Sequence, residues 1–167
     1  MSGPQVDEVD RIVEAWRRER PDLDVAPLEV LSRVSRLSRL LDKARSAAFA
    51  RHGLETWEFD VLSALRRSGD PYQLSPGQLT GLTMVTSGTM TNRIDRLAGR
   101  GLVRRLPDPA DGRGVMVRLE TEGRVVTDAA LADLLEVERS VLKALDGGEH
   151  DRLAQLLRDL LTAFDAN

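Results

Sequence analysis

The chain has no cysteine, and aromatic residues make up only 4% of its 167 residues. The lack of cysteine excludes disulfide bonds, thiolate chemistry and zinc sites built from thiolates. Its two histidines, His52 and His150, lie far apart in the sequence. No apolar run approaches the length of a membrane span, and the N-terminus lacks the basic-then-apolar pattern of a signal peptide. We therefore expect a cytoplasmic protein with no membrane partner.

Signals of an enzyme are also missing. No nucleophile–base pair, metal-binding triad or glycine-rich phosphate loop stands out, and the glycines that flank Arg100 and Arg113 suit turns. The sequence therefore predicts no catalytic residue, no metal site and no cofactor. Apolar residues make up 41% of the chain, which is enough for one core. The length is typical of about one domain.

Two short helices with a tight break between them are predicted near the middle of the chain. A Ser-Pro-Gly-Gln run from Ser75 opens the first helix with an N-cap, a proline at the first helical position and a capping-box glutamine. The break falls at 83–85, Thr86 or Ser87 caps the second helix, and Gly101 suits the position after it, where φ is positive. The apolar stripe of the second helix comprises Met90, Ile94 and Leu97. This pattern is typical of a helix-turn-helix.

A pair of strands joined by a turn-rich loop follows the second helix. Residues 102–106 predict the first strand, residues 107–114 the loop, and residues 115–119 the returning strand, because apolar and polar side chains alternate in it. We interpret a hairpin in this position as the wing of a winged helix-turn-helix.

Positive charge is concentrated in the same part of the chain. Residues 93–118 contain seven arginines and three aspartates and carry a net charge of +4, whereas the rest carries −7 and the whole chain −3. The local charge, not the total, creates the field that a phosphate backbone meets. A run of arginines alone is more often a solvated surface. Beside a helix-turn-helix and a wing, it favours binding to double-stranded DNA.

Three runs of residues in this region resemble a known family. They are Gly-Leu-Val-Arg-Arg at 101–105, Asp-Gly-Arg at 111–113 and Val-Arg-Leu-Glu-Thr-Glu-Gly at 117–123. Together they resemble the MarR family of winged helix-turn-helix regulators, and the resemblance covers most of the chain. It implies a mostly α fold and a transcription regulator that binds DNA.

The resemblance also implies how the chain is organised, as a single MarR-type domain over residues 1–167. Residues 51–120 are expected to form the winged helix-turn-helix lobe that binds DNA, and residues 1–50 and 121–167 the N-terminal and dimerisation helices. The long apolar faces of the end helices favour an isologous homodimer, whose twofold symmetry matches a pseudo-palindromic operator. The alternative is that these helices pack only on each other. The apolar face of the last helix comprises Leu153, Leu156, Leu157, Leu160 and Leu161.

The predicted DNA contacts lie at the front of the second helix and at the wing. Short hydroxyl side chains suit phosphates and base edges, asparagine pairs with adenine or binds a phosphate, and an arginine at the wing tip enters the minor groove. The predicted contact residues are Thr86, Ser87, Thr89, Asn92, Arg96 and Arg113. By resemblance, Asp111 stabilises the wing through an ion pair. The alternative for Arg113 is a solvated hairpin tip.

Four other residues resemble the branch of the family that responds to urate or trans-aconitate. That branch has an extra N-terminal helix with a tryptophan, an aspartate on the helix before the helix-turn-helix, an arginine in the recognition helix and an arginine in the first wing strand. The matching residues are Trp16, Asp60, Arg93 and Arg105. The resemblance implies a small anionic ligand, either urate or a tricarboxylate such as trans-aconitate or citrate. Guanidinium groups suit such anions because they carry a fixed positive charge and can bind a carboxylate through two parallel hydrogen bonds.

This ligand hypothesis includes a mechanism of release from the operator. We expect an Asp60–Arg93 contact to hold the recognition helix in its DNA-binding position, and an anion at Arg93 and Arg105 to break that contact. The protein would then act as a repressor. The alternative is a structural Asp60–Arg93 ion pair, Arg105 at a phosphate and Trp16 in the core. A second alternative is a winged-helix protein-interaction module without a ligand response.

Overall fold

A computed structural model of the protein describes residues 6–108 and 114–165. The helices within these ranges are α1 (Glu8–Glu19), α2 (Ala26–Ala50), α3 (Thr56–Arg67), α4 (Pro76–Thr83), α5 (Ser87–Gly99), α6 (Thr121–Leu142) and α7 (Gly147–Asp165). The strands are β1 (Gln73–Leu74), β2 (Val103–Pro107) and β3 (Val115–Leu119). The fold is therefore mostly α with a small antiparallel sheet, which confirms the predicted fold class.

The chain groups into two compact units, residues 1–44 and residues 45–167, and the boundary falls inside α2. In the first unit, α1 begins with a capping box in which Asp7 and Asp10 accept each other's backbone N–H groups. Arg33 on α2 donates hydrogen bonds to both carboxylates, at 2.9 and 2.7 Å. The division into a DNA-binding lobe and dimerisation helices stays a prediction.

The helix-turn-helix of the second unit lies where the sequence predicts, except that Thr83, expected in the break, is the last residue of α4. Ser75 and Gln78 form the expected capping box at the start of α4. The turn after α4 passes through Met84, which adopts a left-handed conformation with φ of 52°. Thr86, not Ser87, is the N-cap of α5, and Gly101 follows the helix with φ of 71°.

The sheet has the strand order β1-β3-β2, with both pairs antiparallel. Val103 pairs with Leu119 and Pro107 with Val115, so β2 and β3 form the predicted hairpin. Residues 68–74 contain glycine, proline and a single tyrosine and predict a linker, whereas the structure places the short strand β1 at their end. Gln73 pairs with Arg118 on β3. A strand of two residues is too short to show an alternating pattern, so only its pairing with β3 reveals it.

The core of the second unit forms around the apolar stripe of α5. Met90, Ile94 and Leu97 are fully buried, as predicted, and pack in one cluster with apolar side chains of α3 and the sheet. Gly123 brings α6 close to the residue before β2. A Cβ atom at this glycine would lie 2.1 Å from the carbonyl oxygen of Leu102, so no larger residue fits.

Helix α7 differs from the core helices because its leucines are not covered. Their exposed fractions range from 36% for Leu153 to 65% for Leu161. The run Asp-Gly-Gly-Glu at 146–149 predicts a capping box at its start, and the structure confirms it, since Asp146 and Glu149 accept each other's backbone N–H groups at 2.9 Å. Among the described residues, no helix combines the length and apolar character needed to cross a membrane.

Candidate nucleic-acid interface

The front of α5 presents a row of small polar side chains. Thr86, Ser87, Thr89 and Asn92 are all exposed. The hydroxyl of Thr86 accepts the backbone N–H of Thr89 at 3.3 Å, and the two threonine hydroxyls lie 2.9 Å apart. Thr86 therefore fixes the start of the helix, which fixes the direction in which the other three side chains point. Their position at a free helix N-terminus suits phosphate oxygens, which the helix dipole also attracts.

Arg93 and Arg96 lie further along α5 and face α3. Both guanidinium groups lie over the ring of Trp57, and Arg96 also pairs with Glu55. The described residues form no Asp60–Arg93 ion pair within 4.0 Å, so the expected contact between these two is replaced by stacking on Trp57. A flat indole ring close to α5 offers Arg93 a partner that the sequence pattern of α3 alone did not reveal.

The wing carries Arg105 on its first strand. Its guanidinium donates to the carboxylate of Asp95 on α5 at 2.6 Å, so this arginine links the wing to the recognition helix. A ligand that binds Arg105 has to compete with Asp95 for the same guanidinium. The predicted residues at the wing tip, Asp111 and Arg113, lie outside the described residues.

Asp60 lies in a cavity of about 370 Å³ between α3 and the end of α4. Burial raises the pKa of this carboxyl, while the positive charges of Arg93, Arg67 and Arg45 act in the opposite direction. Desolvation of the carboxylate therefore opposes the attraction of the three arginines, although the residue as a whole keeps an exposed surface. The cavity is lined by Phe59, Asp60, Ser63, Arg67, Leu82, Thr83 and Met84.

Trp16 belongs to the first unit, whereas Asp60, Arg93 and Arg105 belong to the second. Its side chain lies on α1 and is 48% exposed, so it is not a core residue. Within the first unit, the exposed indole is open to a ligand or a partner.

Sequence reasoning missed two residues that contact the recognition helix, Glu55 and Trp57. The spacing of Trp57, Val61, Ala64 and Leu65 predicts that all four form the apolar stripe of α3, but Trp57 is only half-buried in the structure. Glu55 and Glu58 flank Trp57 in the sequence, but this local pattern does not show which element the side chains contact. The arginines of α5 recur at intervals of three and four residues, which places them on one side of that helix.

The two helices α4 and α5 with the β2–β3 hairpin define a winged helix-turn-helix. The model of the MarR family matches residues 52–114. The regulator PecS of Dickeya dadantii is 41% identical over 150 residues, which are 90% of each chain. The repressor NicR of Pseudomonas putida is 30% identical over 143 residues, which are 83% of this chain and 89% of NicR.

Solved structures of MarR-type regulators share the fold. A mutant MarR from E. coli complexed with operator DNA has a TM-score of 0.69 and 27% identity, and the match covers 82% of this chain and 95% of that one. Sco5413 from Streptomyces coelicolor has a TM-score of 0.70 and 26% identity over 86% of this chain and 98% of that one. The chain belongs to the MarR family of DNA-binding transcription regulators.

Proposed function

We propose that the protein binds a pseudo-palindromic operator as a homodimer and is released from it by a small anionic ligand. The observation that carries the DNA part is the exposed polar front of α5, which stands beside a fully buried apolar stripe on the same helix. The stripe fixes the helix in the lobe and leaves the front free for the major groove. The similarity to a MarR structure in complex with operator DNA supports this interpretation.

We propose the homodimer because apolar side chains of the end helices are exposed to solvent. On α2, Leu31, Val34 and Leu37 are exposed, as are the leucines of α7. Exposed apolar stripes of this extent are typical of interfaces with another chain. A twofold dimer presents two copies of α5 to half-sites about one helical turn, on the order of 10 bp, apart.

Operator binding is tested by a mobility shift on the upstream region of the protein's own gene, at several salt concentrations. We expect affinity to fall steeply with salt, because phosphate binding releases counterions. The substitution Arg113→Ala should weaken binding by roughly 1–3 kcal/mol if this side chain reads the minor groove. Affinity without a salt dependence would favour the alternative, a module that binds only proteins.

The ligand part of the proposal rests on Asp60, Arg93 and Arg105, with Trp16 as the fourth predicted contact. Two guanidinium groups suit a urate or tricarboxylate anion. Binding at Arg105 would break its pair with Asp95 and so loosen the link between the wing and α5. Because the coupling between two binding sites is reciprocal, operator DNA must weaken ligand binding by the same factor.

The ligand is tested by adding urate, trans-aconitate or citrate to the operator complex at constant ionic strength. We expect one of them to release the DNA from the parent protein, and Arg105→Ala to bind DNA but lose this response. Asp95→Asn is the matched variant, since it frees Arg105 and should increase the affinity for the anion. An Arg105→Ala variant with the parent's full response would refute the ligand site.

A further inference from the structure

Three arginines of the recognition helix contact the start of α3. Arg93 and Arg96 lie on α5, and Arg100 is its C-cap residue. Their intervals of three and four residues place them in one row along the helix and its end. At the end of the row, Arg100 donates through Nη1 to both carboxylate oxygens of Glu58 at 2.6 Å. Glu58 is only 2% exposed, and Arg100 supplies the positive charge that a buried carboxylate requires.

The indole ring of Trp57 stacks with the other two arginines of the row, Arg93 and Arg96. The guanidinium carbon of Arg96 lies 4.7 Å from the centre of the indole ring, and that of Arg93 lies 5.3 Å from it. Both distances are within the range in which a cation is attracted by the face of an aromatic ring. One ring therefore fixes the positions of two neighbouring cations on the recognition helix.

The carboxylate of Glu55 accepts hydrogen bonds from both the indole ring of Trp57 and the guanidinium of Arg96. Its Oε2 accepts the indole Nε1–H of Trp57 at 2.7 Å, and its Oε1 accepts from Nη2 of Arg96 at 2.7 Å. These two hydrogen bonds lower the pKa of Glu55. The carboxylate thus fixes the rotation of the indole and neutralises Arg96, whereas Arg93 lies over the ring and interacts at longer range with Asp60.

We propose that Trp57 and Glu55 are positioning residues of the DNA interface, and that Arg96 acts through them instead of contacting a phosphate. Glu55, Trp57 and Arg96 together set the orientation of α5 in the lobe, and so aim its polar front at the groove. This inference rests on the proposed operator binding and replaces the phosphate contact that the sequence predicts for Arg96.

The two roles of Arg96 predict different dependences of binding on salt. An arginine that contacts a phosphate releases a counterion, so its loss lowers the slope of log affinity against log salt by about 0.9. An arginine that only positions the helix changes the affinity equally at every salt concentration. The slope therefore separates a positioning residue from a phosphate contact.

The test measures operator affinity over a range of salt for the full chain and three variants. We expect Arg96→Gln and Trp57→Leu to weaken binding roughly 3- to 30-fold, the range that a cation–π contact is worth, with unchanged slopes. Trp57→Phe should recover part of the loss, because it retains an aromatic face while leucine retains only bulk. If Trp57→Leu does not fold, the test is made with Arg96→Gln alone, because Arg96 is exposed on the surface.

Arg66 on α3 offers a matched control. It also pairs with a carboxylate, Asp128 at 2.8 Å, and also lies over an aromatic ring, that of Tyr72 at 5.0 Å, and neither partner belongs to α5. Arg66→Gln should leave operator affinity unchanged. A loss as large as that of Arg96→Gln would show that the effect is a general loss of stability and would refute the positioning role.

Indole fluorescence provides a readout without DNA. In a Trp16→Phe background only Trp57 emits, and Arg96→Gln should change its emission because a stacked cation leaves the ring. If the parent binds no operator, the proposed function fails and this inference fails with it. If the parent binds and Arg96→Gln lowers the salt slope by about one, only the positioning role is refuted.

Discussion

Helices α5 and α7 have the same kind of sequence pattern and differ in what covers it. Both repeat apolar residues at intervals of three and four. On α5 the stripe is fully buried, whereas the leucines of α7 remain 36–65% exposed. The difference shows that periodicity identifies which face of a helix is apolar, but not what that face packs against.

The difference between α5 and α7 corresponds to two different proposed roles within one chain. The buried stripe makes α5 a fixed part of the lobe, so its polar front and its arginines are held in defined positions. In the proposed homodimer, the uncovered stripe of α7 supplies apolar area for contact with a second copy. A DNA-binding dimer needs both, because the first property presents the recognition helix and the second sets the spacing between two such helices.

The largest expected effect compares the same substitution on the two helices. Leu97→Ala on α5 should lower the free energy of unfolding by roughly 2–5 kcal/mol, because it leaves a cavity in a packed core. Leu160→Ala on α7 should lower it by about 1 kcal/mol or less within one chain, because the side chain is already partly in water. Urea unfolding measures both values.

Sedimentation of the two leucine variants completes this comparison. Leu160→Ala should shift the monomer–dimer equilibrium towards monomer, whereas folded Leu97→Ala should remain as dimeric as the parent. Equal unfolding costs and equal dimer affinities for the two variants would contradict the distinction between α5 and α7.

An intermediate effect is expected at two glycines that begin helices. Gly123→Ala places a methyl group against the carbonyl of Leu102 and should cost about 1–3 kcal/mol of stability. Gly147→Ala at the start of α7 meets no atom within 4 Å and should be neutral or stabilise the protein by up to about 1 kcal/mol. Thermal melting of both variants checks this, and a loss at Gly147 as large as that at Gly123 would argue against it.

The smallest effect concerns the pH dependence of stability. The pKa of Asp60 is raised in the folded protein, so the folded state binds this proton more tightly than the unfolded state. Its contribution to stability is therefore present below the ordinary value of 3.8 and is lost as the pH rises through the raised pKa. Asp60→Asn should remove this loss, so the variant should gain in melting temperature relative to the parent as the pH rises towards neutral.

The matched control for Asp60 is Asp159→Asn on the exposed α7 helix. This substitution removes the same charge outside the cavity that Asp60 lines, and the melting temperature of Asp60→Asn should rise more towards neutral pH than that of Asp159→Asn. A gain for Asp159→Asn and none for Asp60→Asn would show that burial in the lobe is not what raises the pKa of Asp60.

Local interactions explain why much of the fold is predictable from sequence. Helix starts depend on side chains within three residues, so the capping boxes at Ser75 and Asp146 could be identified without a structure. The stripe of α5 and the hairpin after it follow from periods of 3.6 and 2. Strand β1 could not be predicted, because two residues carry no period and only β3 defines the strand.

The candidate site was less predictable because its contacts join distant parts of the chain. The exposed front of α5 follows from the pattern of one helix. The stacking of Arg93 on Trp57 and the pair of Arg105 with Asp95 depend on how α3 and the wing pack against α5. The spacing of Trp57 places it in the apolar stripe of α3, because periodicity cannot distinguish a side chain buried in the core from a half-buried ring that stacks with arginines.

The sequence by itself determined the class of DNA-binding element and the apolar faces of its helices, because capping, turns and periodicity act over a few neighbouring residues. The family was indicated by the resemblance of three short runs of residues. The tertiary structure decided which of those faces are buried and which arginines are neutralised. Glu55 and Arg96 are 41 residues apart along the chain and lie 2.7 Å apart in space. Electrostatic and packing energies depend on the distance in space, which only the packed fold sets.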